Sequence, residues 1–257
     1  MGPLKTLRSD GEAWAEALAS TSWQVEILKQ DGDVTVSRAR LLGRDVVVKC
    51  WRHRRLKRRL QAIVNATPGC RHWSSAQRLS AAGIRTAATH ALVRGRDASG
   101  PFEVLVMERL EGRTLLEHVA RSELTVREMH ALARQVGEHV AASILNNVVC
   151  VDGKASNIIV LDGALGVIDC ADVRGVSDDD PGDALFVLII EMIGVGCPPR
   201  RTLAMRTLLS VIDAWGELSV SRRAFRNEVW RSVEQWVREH GDATPKVDPL
   251  APNERRT

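Results

Sequence analysis

The chain has little of what a secreted or membrane-spanning protein needs. Its five cysteines (Cys50, Cys70, Cys150, Cys170 and Cys197) are odd in number and contain no CxxC pair, which argues against a disulfide framework and a zinc knuckle. The N-terminal stretch MGPLKTLRSDGEAWAEALAS puts acids and polar residues where an export signal needs an apolar core. The longest apolar run, Ala184 to Ile190, stops at Glu191 and is too short to cross a bilayer. These absences read as a cytoplasmic protein, in which the glycosylation-type triplet Asn65-Ala66-Thr67 is incidental. Acids are also missing locally. Val46 to Arg96 holds twelve Lys or Arg and no Asp or Glu, leaving the remainder with 24 cations against 32 acids. The formal net charge of +4 is therefore the property of one segment.

The 257 residues, 44% hydrophobic and 26% charged, exclude a wholly disordered chain and suffice for one substantial domain or two small lobes. The first twenty-odd residues read as a loosely attached helix. From Trp23 the period changes: Val25 and Ile27, then Val34 and Val36, alternate with polar residues around Asp31-Gly32-Asp33, the pattern of two strands and a tight turn. A third strand, Asp45-Val46-Val47-Val48-Lys49, follows Gly43-Arg44, its three valines stiffly extended. Arg52 to Val64 reads as a basic helix broken at Thr67-Pro68-Gly69, and Trp73 to Ala82 as a second helix ending at Gly83. Strands follow near Thr89–Val93 and Phe102–Met107. The rest is helical apart from a hairpin at Asn157 to Asp172. Strands first and helices later give an α+β chain of two lobes: an extension at 1–22, an N-lobe at 23–107, a connection at 108–113, a C-lobe at 114–242 and a polar tail at 243–257.

The chemistry gathers at Asp152-Gly153-Lys154-Ala155-Ser156-Asn157, followed by Ile158-Ile159-Val160, a turn at Asp162-Gly163, Leu165-Gly166-Val167-Ile168, and Asp169. Phosphoryl transfer needs a carboxylate to orient the attacking hydroxyl, here Asp152. It also needs an amide oxygen and a second carboxylate, here Asn157 and Asp169, to hold Mg2+ against phosphates. A hairpin between Asn157 and Asp169 returns the second acid toward the first. Lys49, at the end of a valine strand, is placed to pair with nucleotide phosphates.

Lys49, Asp152, Asn157 and Asp169 occur in the order and at roughly the separations of the eukaryotic-like protein kinase superfamily, which the chain resembles. The resemblance implies a two-lobed protein-kinase-like fold with an antiparallel sheet plus helix before a helical lobe. It also implies ATP as co-substrate, adenine read near Glu108 and Leu110 in Met107-Glu108-Arg109-Leu110-Glu111-Gly112, a phosphoryl-neutralising role for Lys154, and a loop-bracing role for Asp183. Val46-Val47-Val48-Lys49-Cys50-Trp51, the Arg-rich helix, Arg71-His72-Trp73 and Ala81-Ala82-Gly83-Ile84-Arg85-Thr86 resemble more narrowly the bacterial lipopolysaccharide kinases, which phosphorylate Kdo or heptose of the inner core. That likeness covers about residues 23 to 190 and implies a glycolipid or sugar acceptor.

The chain departs from the superfamily pattern at several points. Cys150 stands where a histidine is usual, Asp169-Cys170-Ala171 replaces D-F-G, and His72 stands where a helix acid would pair with the strand lysine. Two alternatives therefore stand beside the glycolipid kinase: a kinase for proteins or other small molecules, and a pseudokinase binding nucleotide or membrane. The run Arg52–Arg59 carries six positive charges in eight residues, which suits the anionic surface of the inner membrane. Nucleic acid ranks second, because no aromatics are interleaved to stack bases.

Overall fold

The computed structural model describes residues 5–8, 11–20, 25–54, 56–121, 123–177, 180–197, 199–215 and 221–240. The expected polar tail at 243–257 lies outside them. The described chain divides into two compact units, residues 5–77 with 87–110, and residues 78–86 with 111–240.

The first unit contains β1 (Lys5–Arg8), α1 (Gly11–Ala19), β2 (Val25–Asp31), β3 (Val34–Leu41), β4 (Arg44–Arg52), α2 (Leu56–Ile63), most of α3 (Pro68–Ala81), β5 (Thr89–Asp97) and β6 (Gly100–Glu108). Its six strands form one antiparallel sheet in the order β1-β5-β6-β4-β3-β2. Residues on β4 alternate between faces, as the pleat requires. Val46 and Val48 enter a core with Ala39, Leu41, Ala91, Val93 and Val106. Val47 and Trp51 enter another with Cys70, Trp73, Leu92, Leu105 and Met107. By this period-two rule Lys49 lies on the second face, the one that α3 covers.

Three sequence expectations are corrected in this unit. The basic helix read from Arg52 starts at Leu56, because β4 runs on through Arg52, which pairs with Phe102 of β6. The other two fail because tertiary contacts outweigh local signals. The N-terminal segment is not a loose appendage. Trp14 and Leu18, one helical turn apart, bury α1 in the first core, and Trp14 stacks on His90 with ring centroids 5.1 Å apart. A short strand, β1, precedes it and pairs with β5. The second helix does not start at Trp73 either: Pro68 and Gly69, which follow the end of α2 as expected, also open α3. Proline is preorganised for a first helical turn, where its missing N–H costs nothing.

Gly69 is there because a carboxylate sits on it. Glu103, fully buried on β6, accepts the Gly69 N–H at 3.0 Å, the Thr67 hydroxyl at 2.8 Å and Arg94 Nε at 2.8 Å. Arg94 also donates to the Ala62 carbonyl and to Asn65 Oδ1. A Cβ at position 69 would fall 2.2 Å from Glu103 Oε1. The negative charge meets the positive end of the α3 dipole, and its desolvation is offset by Arg94 and two neutral donors. At its far end α3 closes on left-handed Gly83, with the N–H groups of Gly83 and Ile84 donating to Ser80 and Leu79 carbonyls.

The second unit adds β7 (Arg113–Thr114), α4 (Leu115–Arg121), α5 (Val126–Leu145), β8 (Val149–Cys150), β9 (Ile158–Leu161), β10 (Ala164–Val167), β11 (Val173–Arg174), α6 (Asp180–Gly194), α7 (Arg201–Trp215) and α8 (Arg222–His240). A Thr125–Glu128 capping box starts α5. Its stripe Leu132, Val136, Val140 and Ile144 packs with Leu185, Leu188, Met192, Leu208, Val211, Phe225 and Val229 into one core. β9 and β10 form a hairpin, with β7 on the other side of β9.

Candidate active site

The loop from Asp152 to Asn157 is shaped by its own backbone. The Gly153 N–H donates to the Cys150 carbonyl, that of Lys154 to Asp152, and that of Asn157 to Lys154, closing a 3₁₀ turn over Ala155–Asn157. Asn157 then points its amide back along the loop. Nδ2 donates to the Asp152 carbonyl at 2.8 Å and to Asp152 Oδ2 at 3.2 Å. Lys154 Nζ lies 2.6 Å from Asp152 Oδ1. The Asp152 carboxylate is thus held from both sides, by an ammonium and by an amide.

The hairpin register brings the second acid to this loop. Val167 faces Ile158, and the Ile168 N–H donates to the Asn157 carbonyl at 2.8 Å. Asp169 comes directly after, in a left-handed conformation with φ 55°, which aspartate tolerates better than most residues. The conformational demand falls on Asp169 itself. Ala171, which replaces the superfamily's glycine, is not among the left-handed residues, so that departure strains no described backbone. The next side chain, Cys170, is fully buried with Sγ 3.7 Å from Thr86 Oγ1. Because the Thr86 hydroxyl donates to the Val167 carbonyl at 2.9 Å, the thiol is the donor in that contact.

The electrostatics follow the same geometry. The hydrogen bond that Lys154 donates to Asp152 raises its ammonium above the ordinary lysine range, and the charges of Asp152, Glu191 and Asp169 add to it. Burial pushes the Cys150 thiol up to about 12, so at neutral pH it is a small hydrophobe and not a nucleophile.

The loop is braced by a residue that the sequence reading missed. Glu191, on α6, accepts the Ser156 N–H at 2.9 Å with one oxygen and the Ser156 hydroxyl with the other. Asp183, which the resemblance had suggested for this role, has an exposed side chain at the start of the same helix. A signal for Glu191 existed: a carboxylate inside Leu188-Ile189-Ile190-Glu191-Met192 needs a buried-side partner, because an apolar helix otherwise excludes it.

The other three predicted residues belong to the first unit. Lys49 is half-buried on β4, between Leu105 of β6 and Val36 of β3, with Nζ 5.5 Å from the centre of the Trp51 ring. Glu108 ends β6, its carboxylate accepting the Ala88 N–H and its own N–H donating to the Ala88 carbonyl. Leu110 packs against the cluster of Trp51, Trp73 and Met107.

Among the described residues no three His, Cys, Asp or Glu side chains converge as a metal cluster. With Nδ2 turned to Asp152, the Asn157 amide leaves Oδ1 for a cation. An amide and a carboxylate, completed by phosphate oxygens and water, are the hard ligands that Mg2+ takes.

No family model matches the chain, and no curated protein matches it in sequence. Its structure is similar to that of WaaP in complex with acyl carrier protein, with a TM-score of 0.57, 18% identity, and coverage of 90% of this chain and 98% of that one. The fold is protein-kinase-like. An identity of 18% carries the fold and leaves the chemistry to the residues themselves.

Proposed function

We propose that the chain is an ATP- and magnesium-dependent kinase that phosphorylates a hydroxyl of a lipopolysaccharide inner-core sugar or a related glycolipid. The observation that carries this reading is the Asp152 carboxylate gripped by Lys154 and Asn157, with Asp169 delivered by the hairpin. The kinase-like fold, shared with WaaP, supports it, and the acceptor class rests on the sequence resemblance to the lipopolysaccharide kinases.

In this reading Lys49 holds the nucleotide phosphates, and the segment from Glu108, the end of β6, to Leu110 receives the adenine. Because the Glu108 carboxylate is engaged by Ala88, recognition there falls to backbone groups. Asn157 Oδ1 and the Asp169 carboxylate hold the metal. Magnesium, when bound, neutralises the phosphate oxygens and orients them. The acceptor oxygen attacks the γ-phosphorus in line as the bond to the ADP oxygen breaks, and its proton passes to Asp152. Lys154 moves from Asp152 toward the transferring group, whose charge exceeds that of one carboxylate. Catalysis is then a matter of position and charge, with no covalent enzyme intermediate. The enzyme works in the cytoplasm at the inner membrane. No helix among the described residues is long and apolar enough to cross a membrane.

The test is magnesium-dependent ATP turnover with lipopolysaccharide fragments. Asp152→Ala should lower turnover by at least about a thousandfold while ATP still raises the melting temperature. Equal transfer by variant and wild type would refute the role of Asp152.

A further inference from the structure

The helix α2 and the residue after it carry an apolar stripe that no described residue covers. Leu60, Ile63 and Val64, at the i, i+3, i+4 spacing of one helical face, are 56%, 76% and 71% exposed. In soluble proteins a single exposed aliphatic is ordinary, but three contiguous ones mark a surface that meets something. The cations around them sort into two groups. Arg52, Arg54 and Arg94 have acid partners in Asp97, Asp33 and Glu103. Arg58 and Arg59 meet only neutral acceptors among the described residues, Gln61 Oε1 and the His53 carbonyl. Arg55 and the side chain of Lys57, in the same run, lie outside the described residues.

We infer that α2 and the residue after it form a docking surface for an anionic lipid bilayer, with Ile63, Val64 and Leu60 entering the acyl boundary and Arg58 and Arg59 lying at the phosphate level. The charge is complementary to an anionic leaflet. The apolar residues stand out from a helix of eight residues and the residue after it, each more than half exposed, as a ridge rather than a cleft. A fluid boundary accepts such a ridge, whereas a folded protein must supply a matching cleft and a nucleic acid gains nothing from aliphatic side chains. Membrane contact is then insertion combined with charge, not charge alone, and it does not depend on the kinase reading.

The experiment is co-sedimentation of the full chain with phosphatidylcholine vesicles, with and without one-third phosphatidylglycerol, in the absence of nucleotide. The wild type should bind only the anionic vesicles. Arg58→Gln with Arg59→Gln should lower partition about thirtyfold at low salt, about fivefold per cation, and flatten its salt dependence. Ile63→Ser with Val64→Ser should lower it roughly tenfold or more while keeping the salt dependence. Both variants change surface side chains, all exposed except the half-buried Arg58, and should keep the wild-type melting temperature. Equal binding by the wild type and the serine variant overturns the proposal. So does a wild type that ignores vesicles but is retained by single-stranded DNA or by acyl carrier protein, an acidic partner, through the same arginines.

Discussion

Glu191 offers the sharpest test of how this fold holds its loop. Its carboxylate takes both hydrogen-bonding groups of Ser156, the residue directly before Asn157. Replacing it with alanine removes two charge-assisted bonds, each contributing about 1.5–3 kcal/mol when buried. Glu191 is half-buried, so the lower end applies, and the expected loss of stability is about 2–3 kcal/mol. Turnover should suffer more than that loss suggests. A shift of about 1 Å in Asn157 and Asp152 costs roughly a hundredfold in kcat. Glu191 touches no reacting atom, so the KM for ATP should stay near that of the wild type. The decisive control is Glu191→Gln. Its amide oxygen can still accept the Ser156 N–H and its NH2 can donate to the hydroxyl, so it should recover most of the kcat. Steady-state kinetics beside urea unfolding would measure both effects. If Glu191→Ala loses stability but keeps full kcat, the brace is structural only and the reasoning fails.

Further outcomes follow from packing and charge elsewhere. Gly69→Ala should destabilise the protein by at least about 2 kcal/mol in urea unfolding, since the new methyl displaces a buried carboxylate; a neutral effect would mean that α3 shifts freely on the sheet. Lys49→Met should abolish most of the ATP-dependent rise in melting temperature, and an unchanged rise would remove Lys49 from the nucleotide site. His139, on α5, is pushed by burial from 6.5 down to about 4. Protons therefore favour the unfolded chain, so its contribution is complete above about pH 6.5 and is lost as pH falls toward 4, with a slope no steeper than about 1.4 kcal/mol per pH unit. His139→Gln should flatten the unfolding midpoint across that window, and an unaltered profile would assign the acid sensitivity to other groups.

The sheet was legible wherever one chemical pattern sufficed. β3 and β4 announce themselves by alternation and by three valines, and Asp31-Gly32-Asp33 marks their entry, with Gly32 at φ 53°. The loop from Asp152 to Asn157 and the acid at 169 could be read because their spacing is short and a hairpin of fixed register joins them. What could not be read was long-range. Nothing local tells Trp14 that it will stack on His90, so α1 passed for an appendage. Pro68-Gly69 is a breaker in isolation and becomes a helix start only because Glu103, far along the chain, supplies a carboxylate above it. Glu191 was likewise seen as the end of an apolar run, when its partner lies thirty-five residues earlier.

The absence of any acid between Val46 and Arg96 then has a structural answer. A helix packed on a sheet needs something to fix its register and tilt, and an acid on the helix itself is one way to provide it. Here the acid comes from the sheet. Glu103 on β6 rises to the start of α3, where it satisfies a backbone donor, a threonine hydroxyl and Arg94 together. Breaking a buried pair of this kind costs about 3–5 kcal/mol, which holds any state with the start of α3 pulled away below about 1% of the population. An exposed pair would be exchangeable, because water and salt compete for it; one whose carboxylate is fully buried, as Glu103 is beneath a half-buried Arg94, is not. The helix is therefore fixed by the folding of the first unit, before any ligand arrives. Its position needs no carboxylate paired to Lys49, and the lysine face of β4 is built on a sheet and helix that are already locked together.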